Sequence, residues 1–98
     1  MSELLRVKMI TPKEVAYDGT ALAVTIPAET GEMQVFRGHI PVLARVVPGI
    51  VRIENQGSAE LCFTVDEGFF RVTQYEVNLL IDTVQPVTES ADFQKSGR

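Results

Sequence analysis

Phe69-Phe70-Arg71-Val72-Thr73-Gln74-Tyr75-Glu76-Val77-Asn78-Leu79-Leu80-Ile81-Asp82-Thr83-Val84-Gln85 is the longest stretch of this chain without Gly or Pro. A long helix would have to sit here. The composition argues otherwise, because β-branched and aromatic residues crowd the segment. Phe70 and Val72 alternate with Arg71 and Thr73. Val77, Leu79 and Ile81 alternate with Glu76, Asn78 and Asp82. A period of two places one side of a strand in a core. The one interval that could hold a long helix therefore reads as strand.

Outward from it, the same pattern repeats in shorter pieces. Pro12, Gly19, Pro27, Gly31, Gly38, Pro41, Pro48, Gly49, Gly57 and Gly68 leave at most ten residues between neighbours. Leu5, Val7 and Met9 alternate with Arg6 and Lys8. Leu22, Val24 and Ile26 alternate with Ala21, Ala23 and Thr25. Val51 and Ile53 flank Arg52, and Leu61, Phe63 and Val65 flank Cys62 and Thr64. Turn residues separate the runs at Asp18-Gly19, Glu29-Thr30-Gly31, Arg37-Gly38, Pro48-Gly49, Asn55 to Ser58 and Glu67-Gly68. The expected fold is all-β: a two-sheet antiparallel β-sandwich of about eight to ten short strands. It occupies 1–84. Residues 85–98, with Phe93 as their one large apolar side chain, read as a flexible tail.

Ninety-eight residues and 10.8 kDa make one domain. The net charge of −4 and the scattered Lys and Arg argue against a nucleic-acid partner. Cys62 is the one cysteine, so no internal disulfide forms. The start, Met-Ser-Glu-Leu-Leu-Arg, has no apolar signal core, and no run reaches the roughly 20 apolar residues of a membrane span.

Chemistry-bearing constellations are sparse. His39 stands beside Gly38 in a turn, and no second His exists to share a metal. Neither phosphate-loop pattern, GxxxxGK[ST] or GxGxxG, occurs. Asp18, Glu29, Glu32, Asp66 and Glu67 match no calcium-loop spacing. No catalytic residue, metal site, cofactor or small-molecule ligand is expected. The unusual segment is 29–49, where Phe36, Ile40, Val42 and Leu43 flank polar Glu32, Arg37 and His39. Loops on a rigid sandwich are common binding sites.

That segment carries a resemblance. Gly31-Glu32-Met33-Gln34-Val35-Phe36-Arg37-Gly38-His39-Ile40-Pro41-Val42-Leu43, then Pro48-Gly49-Ile50-Val51-Arg52-Ile53, resembles the epsilon subunit of F-type ATP synthase, called delta in mitochondria. Tyr17-Asp18-Gly19, Asp66-Glu67-Gly68 and Val77 to Thr83 extend the likeness over about 6–84. Arg37 stands where the family usually has Pro, Asp66-Glu67 replace its Gly-rich pair, and Ile81 replaces its Ala. The family's C-terminal helical hairpin has no counterpart here, so the resemblance is to its β-sandwich domain.

The resemblance implies a non-catalytic rotor subunit of the central stalk, coupling gamma to the membrane c-ring during proton- or sodium-driven ATP synthesis. By the same likeness the chain would be peripheral, at the cytoplasmic face of the inner (plasma) membrane. Glu32, Met33, Arg37 and His39 would touch the c-ring, with Glu32 and His39 close together at one end of the sandwich. Ala21, Ala23, Ile40, Pro41, Val42 and Leu43 would touch gamma through an apolar patch of the surface. Inhibition and ATP sensing, which belong to the helical hairpin, would be lacking. The alternative class is a free-standing ligand-binding β-sandwich.

Overall fold

The computed structural model describes residues 4–55, 57 and 59–87. Ten strands follow one another: β1 (Leu5–Ile10), β2 (Val15–Ala21), β3 (Ala23–Ala28), β4 (Gly31–Phe36), β5 (Val42–Val46), β6 (Gly49–Glu54), β7 (Leu61–Val65), β8 (Gly68–Val72), β9 (Glu76–Ile81) and β10 (Val84–Pro86). They pair in the order β10-β7-β6-β3-β5-β8-β9-β1-β2, with β4 on the other side of β3. β3 and β5 share the single pair Ala28–Val46. That joint divides the path into sheet I (β4-β3-β6-β7-β10) and sheet II (β5-β8-β9-β1-β2). The two face each other: the Tyr17 ring of β2 meets the Phe63 ring of β7 edge-on, centroids 5.8 Å apart.

The expected sandwich is present, with one departure from antiparallel pairing. β1 and β9 run parallel, from Arg6 opposite Glu76 to Ile10 opposite Leu80. Residue alternation specifies which face is buried and is silent on strand direction. The partners lie seventy residues apart in sequence, so no tight turn joins them.

Alternation does specify the core. Leu5, Val7, Met9, Val24, Ile26, Val35, Val51, Ile53, Phe70, Val72, Val77, Leu79 and Ile81 are all at most 2% exposed. Burying each large aliphatic or aromatic side chain contributes about 1.5–3 kcal/mol. Among the described residues no polar or charged side chain is buried.

The pattern breaks at β3, where Ala23, Val24, Ile26, Pro27 and Ala28 are all buried. The cause is a change of sheet. The chain leaves β2 in sheet II and enters β3 in sheet I at Leu22, whose N–H donates to the Glu54 carbonyl at 2.8 Å. Ala21, opposite Leu5, faces the core and is 0% exposed. Ala23 lies between Phe36 and Glu54 and is 4% exposed. The expectation that these alanines offer a contact surface is therefore corrected: the domain itself covers both.

The boundary at 84 is corrected as well. Gln85 and Pro86 pair with Thr64 and Phe63, and the Val87 N–H donates to the Cys62 carbonyl at 2.9 Å. The remainder of the expected tail, 88–98, lies outside the described residues.

Candidate functional site

The hairpin β3–β4 presents Glu32 near its turn, opposite Pro27. Glu32, Gln34 and Phe36 face outward from sheet I, while Val35 faces the core. Met33 shares the Val35 phase and packs partly buried against the core. Glu32 reaches diagonally across β3 to Arg52, Oε2 to Nη1 3.7 Å. Both side chains are substantially exposed, so this pair holds Glu32 weakly.

Beyond Phe36 the chain turns at Gly38, whose φ is +90°. Its N–H donates to the Gln74 carbonyl at 2.7 Å, tying this loop to the β8–β9 turn of sheet II. Glycine fits there because side chains disfavour positive φ. Arg37 lies over the Tyr75 ring, 4.9 Å from its centroid. His39 Nδ1 donates to the Ile40 carbonyl at 2.7 Å, so this imidazole closes a turn. Ile40 and Leu43 are both 73% exposed, and Pro41 is exposed. Val42 is half-buried and packs against the core.

Glu32 and His39 do not come together. Glu32 sits by the 29–31 turn, where the Glu29 N–H donates to the Arg45 carbonyl. His39 lies past the far end of β4, beside the β8–β9 turn. Four residues of extended strand, about 13 Å, already separate Glu32 from Phe36. The expected cluster is thus split between opposite ends of the sandwich.

Sheet II adds a surface absent from the sequence-based expectations. On its outer face, strand pairing aligns Arg45, Phe69, Leu80, Ile10 and Val15 in one row across five strands. Phe69, Leu80 and Val15 are 52–55% exposed. Arg45 lies over the Phe69 ring at 5.4 Å. Two residues along β5, β8, β9 and β1, and three along β2 where the register shifts, runs a second row, Leu43, Arg71, Asn78, Lys8 and Asp18. Two residues the other way stand Glu67, Asp82 and Pro12. The Asp82 N–H donates to the Glu67 carbonyl at 3.0 Å. An open depression of about 540 Å³ lies here, lined among others by Ile10, Pro12, Arg45, Glu67, Phe69 and Asp82. The sequence does carry a signal for it: Phe69-Phe70 and Leu79-Leu80-Ile81 are apolar in both phases, so both faces of β8 and β9 carry apolar groups.

Among the described residues no group of three or more His, Cys, Asp or Glu is placed to hold a metal ion. Nor is any helix long and apolar enough to cross a membrane. The described residues define a β-sandwich with an exposed apolar row, flanked by charged side chains, on one outer face.

The chain belongs to the family of the ATP synthase delta/epsilon chain β-sandwich domain, whose model matches residues 4–87. It is 40% identical over 80 residues to ATP synthase epsilon chain 2 of Ralstonia nicotianae, covering 82% of this chain and 58% of that one. It is 28% identical over 96 residues to the ATP synthase epsilon chain of Rickettsia bellii, covering 96% of this chain and 89% of the relative. The chain thus spans somewhat over half of the Ralstonia relative and nearly all of the Rickettsia one. Among solved structures, it resembles a chain in the Euglena gracilis mitochondrial ATP synthase OSCP/F1/c-ring assembly. The TM-score there is 0.83 at 24% identity, with 97% of this chain and 60% of that chain covered.

Proposed function

We propose that this chain is a rotor subunit of the central stalk of an F-type ATP synthase. It carries torque between gamma and the membrane c-ring and catalyses nothing itself. The observation that supports this reading best is the family match over 4–87, which takes in every strand of the sandwich. The names of the relatives point the same way. In this reading the domain is peripheral, at the cytoplasmic face of the inner membrane, and needs no cofactor.

The separation of Glu32 from His39 divides the contacts in two. Glu32, exposed at a polar hairpin, meets the polar loops of the c-ring. Gamma covers the outer face of sheet II, where Leu43 adjoins the Phe69–Leu80 row, and continues over Ile40, Pro41, Arg37 and His39. Met33 and Val42 support these contacts from the core side. An apolar centre with a charged rim suits a stable protein interface. A free-standing ligand-binding sandwich is the second reading, and the depression beside Phe69 is the feature that favours it.

Cross-linking in the assembled synthase tests the assignment. With Cys62→Ala as background, Leu43→Cys cross-links to cysteines placed on gamma, and Glu32→Cys to cysteines in the c-subunit loop. The reverse pattern, or neither product, refutes it.

A further inference from the structure

Phe36-Arg37-Gly38-His39 starts the chain from sheet I toward sheet II in one tight turn. The His39 N–H donates to the Phe36 carbonyl at 3.2 Å and closes it. Gly38 has a positive φ, and no described non-glycine residue has one. A positive φ at the third position and not at the second marks a type II turn. The second position of such a turn suits proline, whose ring fixes φ at about −65°. Arg37 occupies that position, so the backbone there lacks this restraint.

The side chain supplies another. The Arg37 guanidinium lies over the Tyr75 ring. Tyr75 stands on a fixed base, because its carbonyl accepts from the Arg6 N–H at 2.9 Å. The turn around it is closed twice, by the Thr73 N–H to the Glu76 carbonyl at 2.8 Å and by the Glu76 N–H to Thr73 Oγ1 at 3.2 Å. A planar guanidinium stacks on such a ring.

We infer that Arg37 is a positioning residue: lying on Tyr75, it latches the 36–39 turn to the β8–β9 turn and sets where Ile40 and Leu43 stand. The bond from the Gly38 N–H to the Gln74 carbonyl is the backbone link that this latch protects. Ile40 and Leu43 are too exposed to hold the loop by their own burial. An exposed cation–π contact shifts a local equilibrium about two- to fivefold, enough to bias a loop with so little buried surface. The latch is a property of the chain itself. Its consequence rests on the stalk reading, in which gamma meets this loop.

Tyr75→Leu, which removes the π face, and Tyr75→Phe, which keeps it, test the inference in two arms. In the free full chain, nuclear magnetic resonance reads the Arg37 Hδ protons and the exchange of the Gly38 amide. The expected result is an upfield ring-current shift of those protons that survives Tyr75→Phe and vanishes in Tyr75→Leu. Gly38 exchange becomes about two- to fivefold faster in Tyr75→Leu and in Arg37→Ala. The same spectra show that each variant is folded. In the second arm, calorimetry measures the effect of Tyr75→Leu on gamma affinity in two backgrounds. With Arg37 present, Tyr75→Leu weakens binding by up to the same factor. In an Arg37→Pro background, where the backbone fixes the turn, Tyr75→Leu changes nothing further. A Tyr75 that only touched gamma would cost the same in both. Gly38 exchange indifferent to both Tyr75→Leu and Arg37→Ala overturns the inference. So does a Tyr75→Leu effect on gamma binding that is the same, or nil, in both backgrounds. The arms also separate the two readings: a latch seen in a chain that binds no gamma supports the latch and counts against the stalk, and gamma binding without the latch refutes the latch alone.

Discussion

Gly68 and Glu32 show how differently single positions matter here. A Cβ on Gly68 would collide with the Leu80 carbonyl oxygen and the Ile81 Cα, both backbone of the paired strand β9. Neither can swing aside, so Gly68→Ala must push β8 from β9. The expected cost is about 1–3 kcal/mol, read as a lower urea midpoint. Glu32 is the opposite case. Its exposed carboxylate has one weak partner, so Glu32→Lys leaves the isolated domain's stability within about 0.5 kcal/mol. Under the proposed stalk role, the expected result of the same change in an assembled synthase is less ATP made per unit of ion flow. A large loss of stability with coupling intact would contradict the contact role. Leu79 is 0% exposed, and Leu79→Ala should cost about 2–5 kcal/mol through the cavity it leaves.

At the scale of elements, the core strands are legible in the sequence because one face of each is apolar. β1, β6, β8 and β9 show the expected alternation residue for residue. β3 departs from it because the chain changes sheets at Leu22, and a phase break of that kind leaves no mark in composition. β10 escapes notice because Pro86 looks like a stop, although an edge strand tolerates Pro. The pairing of β10 with β7 has a measurable consequence. A chain ended after Thr83 exposes the β7 edge and unfolds at lower temperature than one ended after Val87. Equal midpoints would return the boundary to 84. The candidate contacts are legible only as a segment. Whether Glu32 and His39 share an end depends on the length and direction of β4, which turn chemistry alone does not supply.

For the whole molecule, the decisive property is how far apart its partners lie. β1 pairs along one edge with its sequence neighbour β2, but its other edge waits for β9, seventy residues later. Loop closure on that scale precedes any reward from the contacts, and all-β topologies fold in milliseconds to seconds. Stopped-flow refolding should fall in that range, and Val7→Ala should speed unfolding far more than it slows folding. An equal or larger effect on the folding rate would place β1 in the nucleus instead.

The parallel arrangement of β1 and β9 also has a mechanical meaning. When neighbouring parallel strands are drawn from opposite ends, tension falls on all their evenly spaced hydrogen bonds at once. Antiparallel strands pulled at a shared end yield like a zipper, one rung at a time. Tension between Leu5 and Ile81 therefore loads five rungs in shear, and the sandwich resists tearing in the direction along which its first and ninth strands lie.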